Sequence, residues 1–62
     1  MREPILTTAD AADYLGVTKK TLLKYCKRGQ GPVFMPYPGG EYRFRESSLD
    51  IWMKRREVHP GK

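Results

Sequence analysis

Two threonine-started segments, each stopped by a glycine, fill the first half of the chain: TTADAADYLG, Thr7 to Gly16, and TKKTLLKYCKRG, Thr18 to Gly29. Thr7 or Thr8 can cap a helix whose first turn sets Asp10 against the positive helix end, and Gly16 supplies a left-handed stop near Leu15. Thr18 opens a second helix in the same way and Gly29 closes it. Only about three residues separate the two, the spacing of a helix-turn-helix. The inward positions of the first helix are Thr8, Ala11, Ala12 and Leu15, and the small alanines let another helix come close. Leu6, just upstream, reads as a hydrophobic staple. On the second helix Leu22, Tyr25 and Cys26 share one arc, while Lys20, Lys24 and Lys27 share the opposite one.

After Gly29 the character changes. Pro32, Pro36 and Pro38 forbid helix, and PGG is a turn signal. Val33 to Met35 and Tyr42 to Arg45 are read as the strands of a hairpin with its tip at Tyr37 to Glu41. Alternation puts Tyr42 and Phe44 on one side of the second strand, with Arg43 and Arg45 on the other. From about Glu46 helical spacing returns, with Ser47 or Ser48 near the start and Leu49, Trp52 and Met53 as the apolar stripe. The tail EVHPGK is expected to fray.

The chain has 62 residues, so every element must contribute to one small core. Such a chain can hardly wall off a deep catalytic cavity, and a binding module rather than an enzyme is expected. Cys26 has no disulfide partner, and His59 has neither an acid nor a nucleophile at a recognisable spacing. Glu46 and Asp50 have i, i+4 spacing but lack further ligands. No cofactor or metal is therefore expected. The opening MREPILTTADAAD includes acids and no long apolar run, which points to a soluble cytoplasmic protein.

Formal net charge is +5, and its distribution is uneven. Residues 1–17 set one Arg against Glu3, Asp10 and Asp13, whereas residues 18–45 set Lys19, Lys20, Lys24, Lys27, Arg28, Arg43 and Arg45 against Glu41 alone. Focused positive charge suits a polyanion, because neutralising neighbouring phosphates releases condensed counterions.

With LTTADAADYLGVTKKTLLKYCKRG, then GGEYRFR, then SSLDIWM, the chain resembles the small winged helix-turn-helix proteins of the excisionase family, distant relatives of MerR-type DNA-binding domains. The resemblance covers Leu6 to about Arg55. It implies an α+β fold of three helices with a two-stranded β-hairpin wing between helices 2 and 3. A single domain over 1–62, ordered over about 5–57, is expected. It also implies that Thr18 to Arg28 forms the recognition helix of the major groove, and that PGGEYR, including Gly40, forms the wing of the neighbouring minor groove. Excisionases bind side by side next to an attachment site, bend the DNA and direct a partner integrase toward prophage excision. Double-stranded DNA, neighbouring copies and an integrase are the partners so implied, in the nucleoid of a bacterial host. Two features depart from the family pattern: the wing is longer and richer in proline, and Glu41 stands where a basic residue is frequent.

Within that frame Lys20, Lys24 and Lys27 reach phosphates or guanine O6 and N7, and Thr18, Lys19 and Thr21 sit where base edges or phosphates are met. Arg28 either contacts DNA or favours the negative helix end. Arg43 is the better wing candidate, whereas Arg45 also has Glu46 or Asp50 within reach for pairing. Tyr37 either contacts the sugar-phosphate backbone or lies over Pro36 or Pro38. Trp52 is read as core. Leu23 and Ile51 fall outside the apolar stripes and should be partly exposed. Ile51 with Lys54, Arg55 and Arg56 is a candidate contact for a second copy or an integrase. A transcription regulator of the same fold is an alternative, and a basic adaptor for RNA or protein is another.

Overall fold

The computed structural model describes residues 3–57; residues 58–62 of the tail expected to fray, His59 among them, lie outside them. In chain order the elements are β1 (Ile5–Thr7), α1 (Thr8–Leu15), α2 (Lys19–Lys27), β2 (Met35–Tyr37), β3 (Glu41–Arg45) and α3 (Glu46–Arg56).

Local chemistry sets the helix boundaries. Thr7 is the cap of α1, its Oγ1 accepting from the Asp10 amide at 3.1 Å. Gly16 adopts φ 76°, and the Val17 amide turns back to Ala12 O at 3.0 Å. A side chain at Gly16 would strain this turn. Thr18 then caps α2, accepting from the Thr21 amide at 3.1 Å.

The expected inward face of α1 is the observed one. Thr8, Ala11 and Ala12 are buried, and Leu15 packs at the edge of the core. With Leu22, Cys26, Phe44 and Leu49 the alanines make the central cluster, ringed by Leu6, Val17, Phe34 and Tyr42. Burial raises the pKa of the Cys26 thiol, so it stays protonated and acts as a small apolar side chain. Gly31 lets the loop after α2 close over the helix: a Cβ there would lie 3.1 Å from Cys26 N and 3.2 Å from Tyr25 C.

The sheet corrects the sequence reading in two respects. The expected two-stranded hairpin between α2 and α3 is present as β2 and β3, and a third antiparallel strand joins it in the order β1-β3-β2, because Ile5 to Thr7 pairs with Arg45 to Arg43. Leu6 therefore enters the fold as a strand residue opposite Phe44. The first strand of the hairpin, β2, also begins later than expected, at Met35 rather than Val33. Val33 is 74% exposed and outside it, while Tyr37 pairs with Glu41 and leaves Pro38, Gly39 and Gly40 to turn the chain. Gly39 and Gly40 have φ of 86° and 78°, a conformation that glycine adopts without strain. Pro36 is compatible with β2 because β2 is an edge strand, where a missing N–H breaks no ladder.

At the start of α3 no serine acts as the cap; the Ncap position is Arg45, which makes no side-chain cap bond. Glu3 does this work from a distance, its carboxylate accepting from Ser47 N and Ser47 Oγ, each at 3.0 Å. Those bonds hold the Glu3 pKa below the usual carboxylate value, with a smaller contribution from Arg45. A depressed folded-state pKa stabilises the fold above the ordinary value of 4.5 and loses that contribution as pH falls through the folded value. Glu3→Gln should therefore lower the urea midpoint at neutral pH, and its deficit against the parent should shrink as the buffer is acidified below 4.5. A deficit constant with pH would contradict this capping role.

On the opposite flank, Tyr14 Oη donates to Asp50 Oδ1 at 2.6 Å and ties α1 to α3. That bond pushes the phenol pKa up to about 12. Trp52, expected in the core, lies half-buried at its edge. Its ring packs on Tyr25 with centroids 5.7 Å apart, and its indole N–H donates to Gln30 O at 2.9 Å. It thereby secures the turn that ends α2.

Candidate nucleic-acid interface

The exposed side of α2 carries the cations that the helical spacing predicts. Leu22 and Cys26 are buried, whereas Lys19, Lys20, Lys24, Lys27 and Arg28 are all exposed. Lys24 and Lys27 stand in the last turn, where cations favour the negative helix end, and the first turn contains no acid. The positive end of α2, flanked by Lys19 and Lys20, is thus left uncompensated by its own helix. Such an end attracts phosphate.

The cap defines what the two threonines can offer. Thr18 Oγ1 accepts from the Thr21 amide and donates to Thr21 Oγ1 at 2.8 Å. Its hydroxyl is therefore committed, which leaves the methyl as the part of the side chain without a bond to make. Thr21 Oγ1 still has its own hydrogen to donate.

Two shallow depressions meet at Leu23. One is lined by Lys20, Lys24, Lys27 and Arg28; the other runs from Lys19 past the start of α1 to Gly40, Glu41, Tyr42 and Arg43. Together they make a surface continuous from α2 to the β2–β3 hairpin on which Glu41 is the one acid among the described residues. Leu23 is half-buried, as its place near the basic arc predicts, and it is the apolar residue common to both depressions. Its sequence signal was its position between Lys20 and Lys24. Thr7, Thr8 and Ala9 also line the hairpin side. No local motif marks them, since they reach it only through the pairing of β1 with β3.

The hairpin cations are engaged within the protein. Arg43 Nη1 lies 2.7 Å from Glu41 Oε1, and its guanidinium stands 5.0 Å over the Tyr37 ring. Tyr37 thus supports Arg43. Arg45 pairs with neither Glu46 nor Asp50: its Nη1 is 3.9 Å from Glu3 Oε2, and Asp50 is taken by Tyr14. The reason is that β1 brings the segment before it alongside the end of β3.

On α3, Ile51 is 55% exposed and Lys54 and Arg55 are exposed. Arg56 lies over the Trp52 and Tyr25 rings at 4.8 and 5.3 Å. None of the four lines either depression. Among the described residues there is no group of side chains suited to hold a metal ion, and no helix long and apolar enough to cross a membrane.

Two short helices joined by a tight turn, a cationic face on the second, and a hairpin beside that face define a small helix-turn-helix domain of the DNA-binding kind. A family model described as a helix-turn-helix domain matches residues 5–57. The chain belongs to that family. A search of curated proteins found no match to it.

Proposed function

We propose that this chain is a sequence-selective binder of double-stranded DNA that acts as an excisionase, with α2 in the major groove and the β2–β3 hairpin in the adjacent minor groove. The observation that carries the reading is the pair of depressions that share Leu23, one lined by Lys20, Lys24 and Lys27 and the other reaching Gly40 and Arg43. Lys19, Lys20, Lys24, Lys27 and Arg28 contact phosphates or guanine edges; Thr21 donates from its hydroxyl; Thr18 and Leu23 offer apolar contact to thymine methyl groups. Gly40 lets the hairpin backbone approach the duplex. Arg43 enters the minor groove, and Arg45 contributes at its rim.

One module of this size grips only a short site. Side-by-side copies on repeated sites give tight occupancy, and helix and hairpin held in neighbouring grooves bend the duplex. Ile51, Lys54 and Arg55, outside the DNA-facing depressions, are left to meet a neighbouring copy or the integrase. No chemistry is required of the chain itself. Its place is the bacterial cytoplasm, at the nucleoid.

Footprinting on the attachment region and the promoter of the chain's own genetic element tests this. Protected direct repeats beside the crossover point are the expected result. Protection confined to the promoter would replace excision with transcription regulation, and no protection of any duplex would overturn DNA binding in favour of an RNA or protein adaptor.

A further inference from the structure

Glu41 stands beside the proposed wing cation, where a carboxylate would repel DNA. It is separated from Arg43 by one residue of β3, so both project to one face of the strand, and Tyr37 is its cross-strand partner. Three contacts fix the Arg43 guanidinium there: Glu41 at 2.7 Å, the Tyr37 ring at 5.0 Å, and a bond donated to Tyr42 O at 3.4 Å. The Arg43 side chain is 26% exposed and the Glu41 side chain 57%. The carboxylate is therefore the outer partner, and an oxyanion on a guanidinium occupies the place a phosphate would take.

We infer that Glu41 tempers wing affinity by competing with DNA phosphate for Arg43. This rests on the DNA-binding reading proposed above. An exposed ion pair is cheap to open, so a duplex can displace the carboxylate. It gains less from doing so than it would from a free arginine, since one counter-charge is already in place and the released carboxylate faces phosphates. The discount falls on every duplex alike. It is overcome where the minor groove is narrow and its negative potential deep. The α2 segment KKTLLKYCK contains no acid, so the discount applies to the wing and not to the recognition helix. Glu41 would thus weaken wing contacts with any duplex, while the ratio between a fitting groove and an average one, in which a common cost cancels, stays the same.

The test compares the parent chain with Glu41→Gln, Arg43→Gln and the double variant. Each is confirmed folded by circular dichroism and titrated at several salt concentrations with a mixed-sequence duplex and with an A-tract duplex of narrow minor groove. Glu41→Gln is expected to tighten binding to the mixed duplex by up to about fivefold. It should also steepen the slope of log K against log salt by about 0.9, one added phosphate contact. Its preference for the A-tract duplex should stay that of the parent, because a cost common to both duplexes cancels in their ratio. In the Arg43→Gln background the steepening should vanish, because no cation remains to be freed. Weaker binding by Glu41→Gln would overturn the inference and make Glu41 an orienting group for Arg43. Equal gains with and without Arg43 would also overturn it, leaving simple repulsion. Unchanged binding by Glu41→Gln would remove this inference alone, whereas a parent chain that binds neither duplex would remove the DNA reading and the inference together.

Discussion

Phe44→Ala is expected to leave most of the chain unfolded at ambient temperature. Phe44 is a fully buried residue of β3, paired with Leu6 across the sheet and with its ring centroid 6.4 Å from that of Phe34. Removing a buried aromatic of this kind costs about 3–5 kcal/mol, the transfer term plus the cavity left behind. A domain of this length has a total stability of only about 3–9 kcal/mol. The loss therefore consumes much or all of it. The gap would open inside the one buried cluster, which Phe44 shares with Ala11, Ala12, Leu22, Cys26 and Leu49. Urea unfolding followed by circular dichroism measures the effect. A midpoint close to that of the parent would mean that the sheet and helices do not share one core.

The second large effect is on binding and should leave the fold intact. Replacing Lys20, Lys24 and Lys27 together by alanine removes three exposed side chains from α2. Alanine is at least as good a helix former as lysine, so thermal unfolding should change little. Duplex affinity should fall about a hundredfold, at roughly 1 kcal/mol for each lost contact. The slope of log K against log salt should flatten by about 2.7 if all three meet phosphates. A drop in affinity without flattening would assign the lysines to base edges. No drop would take α2 out of the interface.

The helical half of the fold was legible because its signals are local. Thr7, Gly16, Thr18 and Gly29 act through bonds within one turn, and the buried side of α1 follows from a period that needs no partner. The basic arc of α2 follows from the same period. The sheet was less legible for the same reason. Ile5 to Thr7 is too short to show alternation, and its strand character comes from pairing with β3, nearly forty residues away. Pro36 fell between the expected strand Val33 to Met35 and the hairpin tip, yet it lies in β2, and only the sheet order reveals that β2 is an edge. Charge pairing was misjudged where it depended on that pairing too. Glu3 reaches Ser47 and Arg45 only because β1 lies against β3, so Glu46 and Asp50 were the nearer partners in sequence but not in space. For the interface, the cations were found by pattern. Their grouping around Leu23, and the engagement of Arg43 by Glu41 and Tyr37, required the fold.

The most direct measurement is a titration of the isotopically labelled chain with a short duplex at low salt, followed by amide shifts in nuclear magnetic resonance spectra. The account predicts shifts concentrated in Thr18 to Arg28 and Gly39 to Arg43, with Leu49 to Met53 on α3 scarcely moving. Shifts centred on α3, with α2 and the hairpin undisturbed, would contradict it.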